Sequence, residues 1–369
     1  MRMFVRCVFA LSAFGMLALV GSGQPAAKAP SAKDIKAVAD KAVAYLKSTQ
    51  QADGSFSPGF TAPGITSLVA AALLKDGYSP KDPVVAKSLK FLETKVKKDG
   101  GIYDKALANY ITSVAVMAFS EANEGGKYDS VLKNAADFLK GIQHDGGDSD
   151  PLHGGFDYNG PGNKADLSNT GFSLDALIAA GLSKDDPAVK KALTFVKRTQ
   201  NFSGEEGNDQ PWAAKASADD KGGFVYNPSA KGGRDATAAG GLRSLGAMTY
   251  TGLKSFLYAG VKKDDPRVKA AVGWIRRHYT LDENPGMGKA GLYYYYNTFG
   301  KAMTALGEDP FTDAKGTKHE WKADLFMAIK SRQDKDGSFQ NSGDRTFGES
   351  DRNLATSFAL LSLSYCKAK

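Results

Sequence analysis

Three charged residues, Asp175, Lys254 and Lys301, stand in stretches that are otherwise small or apolar. Each lies five residues beyond a recurring Thr or Tyr (Thr170, Thr249, Tyr296), where sister segments carry Ala71, Met117 and Leu361. Charge on an apolar helix costs several kcal/mol unless it is paired or solvated, so a shared register for three charges calls for a reason. Two readings fit. In one, Lys254 and Lys301, with Arg243 upstream, hold an anionic head such as a diphosphate or carboxylate, and Asp175 orients Lys254 or acts as a catalytic acid. In the other, Asp175 and Lys254 form an inert salt bridge between neighbouring helices. The run Tyr293, Tyr294, Tyr295 and Tyr296 adds aromatic faces that suit a passing cation or line the path of an apolar tail. The same four rings could simply pack a rim.

Other clusters are less specific. The loop from His144 to Asp157 holds His144, Asp145, Asp148, Asp150, His153 and Asp157 among glycines, oxygen donors of the kind Ca²⁺ takes. Its spacing fits no named calcium loop, and such residues also build plain turns, so no metal is assigned. Arg234 and Asp235 suit a rim ion pair or an anion clamp. Asp before Pro at Asp82, Asp186 and Asp265 reads as helix capping rather than as catalytic carboxylates. No cofactor is expected.

The elements that must position these residues come from a repeat. YLKSTQQADGSF (Tyr45 to Phe56) returns near the end as AIKSRQDKDGSF (Ala328 to Phe339). Between them, two helical series alternate. One ends in Tyr45-Leu46, Phe91-Leu92, Phe138-Leu139, Phe195-Val196, Trp274-Ile275 and Ala328-Ile329. The other starts near Thr66, Thr112, Thr170, Thr249, Tyr296 and Thr356. Six helix pairs result, and strand signals are sparse, so the class is all-α. Successive pair ends are 46, 47, 57, 79 and 54 residues apart, and the longest interval carries a polar loop over 201–241, of lid or binding-loop length.

Bulk features frame the chain. Residues 1–23 read as a secretory signal: two arginines, a 14-residue apolar run, then GSG. Residues 24–33 read as a flexible N-terminus, and 34–369 as a single domain. The protein is therefore expected to be exported, periplasmic or secreted. Outside the signal the only thiol is Cys366, which excludes an intramolecular disulfide and a cysteine-rich metal site. The formal charge of +8 is spread over scattered lysines without an arginine block, so nucleic acid is not an expected partner. Peripheral contact with membrane or an acidic envelope polymer fits the charge, and a monomer is expected.

The Gln-x3-Gly-x-aromatic motif resembles the QW repeat of squalene and oxidosqualene cyclases, shared with protein prenyltransferase β-subunits. Gln50, Gly54 and Phe56 match it, as do Gln333, Gly337 and Phe339; Gln143 with Gly147 and Gln200 with Gly204 match in part. The second and fifth units have Val96 and Tyr279 in place of Gln. The resemblance implies an (α/α)6 toroid, with inner helices around a central cavity and the site at the mouth formed by their N-termini. It also implies chemistry that the residues do not complete. The cyclase DxDD signature is absent, SADD at Ser217 and DSDP at Asp148 being the nearest runs, and the prenyltransferase zinc ligands are missing. The reading is an exported protein of this repeat type, terpenoid-cyclase-like or prenyltransferase-like, whose cavity binds an apolar or amphiphilic, isoprenoid-like small molecule, with catalysis left open. Two alternatives stay in view. One is an envelope polysaccharide-active (α/α)6 enzyme, which needs two opposed carboxylates about 5–10 Å apart and stacking rings such as Trp212. The other is a non-catalytic binding or assembly module.

Overall fold

Helices buried on every side alternate with helices buried along one stripe, and this alternation fixes the architecture. The computed structural model describes residues 30–160, 162, 164–229, 235–344 and 346–367; the expected signal and Arg234 lie outside them. Among the described residues, the one-sided helices are α1 (Ala32–Thr49), α3 (Pro83–Glu93), α5 (Asp129–Ile142), α7 (Pro187–Arg198), α9 (Pro266–Arg277) and α11 (Trp321–Lys330). In α7 only the stripe Ala188, Val189, Ala192, Phe195, Val196 and Arg198 is buried. The other series is α2 (Ala62–Asp76), α4 (Ala108–Glu121), α6 (Leu167–Ala179), α8 (Gly246–Tyr258), α10 (Leu292–Leu306) and α12 (Arg352–Ser364). In α2 every residue from Ala62 to Leu73 is buried, which only an inner position allows.

The inner helices touch in chain order, α2–α4–α6–α8–α10–α12, and α12 returns to α2. Outer helices lie over the seams: α3 on α2 and α4, α5 on α4 and α6, α7 on α6 and α8, α11 on α10 and α12, α1 on α12 and α2. This is a closed all-α toroid of six hairpins, as the repeat implies. Among the described residues the one small sheet is an antiparallel pair, β1 (Phe311–Thr312) with β2 (Lys318–His319). No helix of the described residues is long and apolar enough to cross a membrane.

The repeated residues are the joints of this ring. Gln50 donates to the Val84 carbonyl at the start of α3 (2.8 Å) and to the Gly54 carbonyl of its own turn (3.2 Å). Gln143 does the same to Ala188 and Gly154, Gln200 to Arg267 and Gly222, and Gln333 to Val38 and Gly337. Each Gln thus fastens one turn to the next outer helix. The turn glycine is dictated twice over. Gly54 has φ +92°, and a Cβ there would stand 2.3 Å from the Lys87 carbonyl oxygen; at Gly154, with φ +84°, the Lys191 oxygen would be 1.9 Å away. Two residues on, the backbone N–H of Phe56, Ile102, Phe156, Phe224 and Phe339 donates to Thr66, Thr112, Thr170, Thr249 and Thr356 at 2.9–3.0 Å. The shared Thr therefore anchors the turn from three or four residues inside the inner helix rather than marking the helix start.

This geometry corrects the motif alignment in two units. The working glycine after Gln143 is Gly154, not Gly147, and after Gln200 it is Gly222, not Gly204. Loop insertions separate Gln from Gly there, so a fixed spacing misses them. Asp186 and Asp265 cap α7 and α9 through Ala188 N (2.8 Å) and Arg267 N (2.9 Å); Asp82 turns back to Ser79 N instead. Helix α1 begins at Ala32 with Ser31 as its cap, so its first two residues fall inside the 24–33 segment read as a flexible N-terminus. The fifth unit uses no Gln. Tyr279 stacks on His319 and Phe311 of the small sheet and donates to Asp324 (2.9 Å).

Candidate functional site

At the N-terminal ends of the inner helices the ring stays open as a cavity of about 460 Å³. All six inner helices reach it: Ile65 from α2, Tyr110 and Ile111 from α4, Phe172 from α6, Ala247 and Met248 from α8, Tyr294 from α10, Leu354 and Phe358 from α12. The turns add Tyr158, Tyr226, Met287, Phe347, Glu349 and Asp351. Aromatic rings make its floor. Tyr110 meets Phe172 edge-on at 5.4 Å, Phe172 meets Tyr294 at 5.7 Å, and Tyr294 meets Phe358 at 5.8 Å. Such tilted pairs are held by their quadrupoles and present both faces and edges to a guest.

The three register charges lie beneath that floor. Asp175 accepts from Lys254 (2.6 Å) and from Lys301 (2.9 Å), joining α6, α8 and α10. All three side chains are under a tenth exposed. They border a separate void of about 10 Å³ that shares only Phe172 and Tyr294 with the cavity above. Burial works against the Asp175 charge, but the two ammonium groups overcome it and hold its carboxyl below the usual range. Burial and the neighbouring Lys301 push Lys254 down to about 8, against the pull of Asp175. Lys301 keeps its charge, since Asp175 offsets its burial and raises it.

Most of the residues nominated from sequence are thereby relocated. Asp175, Lys254 and Lys301 come together, but below the cavity and satisfied by one another, so they do not present an anion site on its wall. Arg243 is exposed and borders a peripheral cleft with Ser217, Asp220, Trp274 and His278. Tyr293 packs on Phe339, while the hydroxyls of Tyr295 and Tyr296 donate to the carbonyls of Thr280 and Leu281 (2.6 Å each). These three are structural. Tyr294 alone of the nominated set lines the cavity, with its hydroxyl 3.0 Å from Ser168 Oγ and 3.4 Å from Thr251 Oγ1.

Three acidic residues at or behind the cavity, Glu349, Asp166 and Asp351, escaped the sequence reading. Glu349 is fully buried, on the cavity wall, accepting from the backbone N–H of Tyr294 (2.7 Å) and from Asn341 Nδ2 (2.9 Å). Burial raises it to about 7, with Asp344 adding to the effect against the pull of those donors. Asp166 caps α6 through Asn169 N (2.8 Å) and lies behind the cavity-lining Tyr226 and Tyr158, whose hydroxyls are 3.4 Å apart. Burial raises Asp166 to about 7 as well. Asp166 and Asp351 were open to the helix-start rule, standing just before the apolar runs of α6 and α12. Glu349 carries no such signal.

The acidic loop is internally engaged. His144 meets Asp150 at 2.6 Å, Lys191 meets Asp145 at 2.6 Å, and Arg198 donates to the Asp148 and Asp150 carbonyls and to Asp209. Among the described residues no group of three His, Cys, Asp or Glu side chains converges as a metal site. Of the nearest DxDD-like runs, Asp219 meets His278 (2.9 Å), Asp220 accepts from Ser217 (2.6 Å), and Asp148 is exposed. Trp212 donates to the Pro228 carbonyl (2.8 Å) and lies away from the cavity lining.

Comparison with known proteins agrees with this geometry. The family model of the squalene-hopene cyclase C-terminal domain matches residues 60–216. Among solved structures, the type II terpene cyclase MstE from Scytonema is 14% identical, over 91% of this chain and 98% of that one, with a TM-score of 0.54. An unsaturated glucuronyl hydrolase specific for heparin is 12% identical, over 91% and 97%, at 0.55. An alpha-amylase from Clostridium perfringens is 12% identical, over 90% and 98%, at 0.54. Such low identities speak for fold alone. No curated protein matches the sequence. The closed ring, the motif that fastens it and the matched segment together show a squalene-cyclase-like α/α toroid.

Proposed function

We propose that the protein is exported and binds an apolar, isoprenoid-like ligand in its central cavity. The observation that carries this reading is the cavity itself: about 460 Å³, walled by aromatic and aliphatic side chains from all six inner helices. That size lies within the roughly 300–1,000 Å³ common for small-molecule sites, which are mostly apolar with a few placed polar groups. Burying a prenyl chain there releases apolar surface at about 25 cal/mol per Å². Export rests on the character of residues 1–23. Binding rather than turnover is the function proposed. Asp175, nominated as an acid, is held ionised by two lysines below the floor and is poorly placed to give up a proton.

A polysaccharide-active reading draws on one observation, that Glu349 and Asp351 are among the residues bordering the cavity. It is weaker, because Asp351 already accepts from Leu354 N (3.1 Å) and Ser57 Oγ (2.9 Å) as the cap of α12. Native purification followed by organic extraction and mass spectrometry separates the two. A prenyl lipid recovered in near-stoichiometric amount is the expected result. A bound glycan would favour the second reading, and a cavity empty of both would count against ligand carriage.

A further inference from the structure

The turns entering α6 and α8 share a second repeated run, Phe-x-Tyr-Asn, from Phe156 to Asn159 and from Phe224 to Asn227. Each copy is pinned at a helix entrance. At α4 the Tyr158 carbonyl accepts from Asn109 N (3.0 Å) and the Asn159 side chain from Leu107 N (2.6 Å). At α6 the Tyr226 carbonyl accepts from Leu167 N (2.9 Å), and Asn227 donates to the Ala165 carbonyl (2.8 Å). The two hydroxyls so delivered stand 3.4 Å apart, and the Tyr158 ring lies 6.4 Å from that of Tyr110. Tyr110, Tyr158, Tyr226 and Tyr294 border the cavity and are half-buried, whereas Tyr293, Tyr295 and Tyr296 are sealed. Three of the four hydroxyls have protein neighbours: Tyr158 and Tyr226 each other, Tyr294 the side chains of Ser168 and Thr251. The Tyr110 hydroxyl has none among the described residues, and unlike the orphaned Tyr250 hydroxyl it is not closed off from solvent.

We propose that the ligand's polar end is an uncharged oxygen, a hydroxyl or a carbonyl, which accepts from the Tyr110 hydroxyl and sits beside the Tyr158–Tyr226 pair. This deepens the apolar-ligand reading above and rests on it. A phenol O–H facing an apolar guest without an acceptor is unfavourable, and a guest oxygen supplies the missing bond. Burial raises all four phenols, so each stays a neutral donor at neutral pH. Hydroxyls also accept, so the Tyr158–Tyr226 pair can donate to a carbonyl or receive the proton of an alcohol. Charge is not provided for. Among the described residues bordering the cavity there is no Lys, Arg or His, so an anionic head would be desolvated without a counter-charge. The acids there, Glu349 and Asp351, already accept from the protein's own donors and call for no cation.

The test uses the full mature chain and four probes with one tail: geranylgeraniol, geranylgeranial, the hydrocarbon lacking only their oxygen, and geranylgeranyl diphosphate. Each displaces a neutral fluorescent dye, so that one readout serves all four. The alcohol and the aldehyde are expected to bind about threefold to tenfold tighter than the hydrocarbon, and the diphosphate weakest. Tyr110→Phe keeps the ring against Tyr158 and Phe172 and removes only the hydroxyl. In that variant the gap should fall to within about twofold while hydrocarbon affinity is kept. If Tyr110→Phe does not fold, Tyr158→Phe decides, with the gap expected to narrow by about twofold. No gap in the wild-type chain, a gap unchanged in the folded variant, or a diphosphate that outbinds the hydrocarbon overturns this proposal and leaves the apolar-ligand reading standing. Failure of all four probes overturns both.

Discussion

Asp166 caps helix α6 from a position that water does not reach, and that combination gives it an unusual titration. Its carboxyl accepts from Asn169 N and Asn169 Nδ2 (2.8 Å each), yet burial dominates and raises it from 3.8 to about 7. An acid raised in the folded state contributes stability that is fully present below its unfolded value and is lost as pH climbs through the folded one. Asp166 and Glu349 should therefore both make the protein less stable between about pH 4 and pH 7 as pH rises. Asparagine is as good a cap as aspartate and carries no charge to desolvate. Asp166→Asn is expected to shrink the difference in urea midpoint between pH 4.5 and pH 7.5 without abolishing it, since Glu349 still titrates. An unchanged slope would show that Asp166 is not buried as an acid. At this scale the sequence was partly legible. Two of the three Asp-Pro caps, Asp186 and Asp265, could be read from order alone, because Pro pre-sets the first helical turn. Glu349 could not, since only closure of the ring brings its loop over the N-terminus of α10.

Helices α6, α8 and α10 are riveted by one carboxylate and two ammonium groups, a contact that their spacing announced and their depth concealed. The charges stand five residues after the repeat's reference position; the cavity residues Phe172, Ala247, Met248, Tyr294 and Phe358 stand within two residues of it. About one helical turn, 5.4 Å along the axis, separates the open lumen from the packed seam below. Periodicity reports which side of a helix faces inward, but not how far the central space extends, so a belt of charge on the lumen wall and a buried rivet looked alike. The rivet has a distinct energetic signature. Asp175→Asn leaves two ammonium groups buried without a counter-charge and should cost about 3–5 kcal/mol. The triple change Asp175→Leu, Lys254→Met, Lys301→Met removes all three charges and is expected to return the unfolding midpoint to near wild type, or above it. If the single variant melts like wild type, the three groups are better solvated than their burial implies.

The molecule as a whole is a ring whose last unit meets its first, and the C-terminal copy of the motif makes part of that join. Gln333 reaches the Val38 carbonyl of α1 (2.9 Å), Asn353 meets Thr49 (2.7 Å) and Ser57 (3.0 Å), and Asp351 meets Ser57 (2.9 Å). An open stack of hairpins would expose apolar end faces; closure removes them and leaves the shared lumen as the one space built by every unit. Six helix pairs and their order could be read from the sequence, because each hairpin repeats the same burial problem. The insertions after Gln143 and Gln200 could not be aligned, because loop length is free wherever the fastening bonds are kept. If the lumen is a ligand site, filling it should abolish binding while leaving the ring intact. Isothermal titration of geranylgeraniol into the wild-type chain and into Ala247→Trp, with circular dichroism to confirm helix content, tests this directly. The account predicts one site per wild-type chain and none in the folded variant; equal binding by both would place the ligand elsewhere and contradict it.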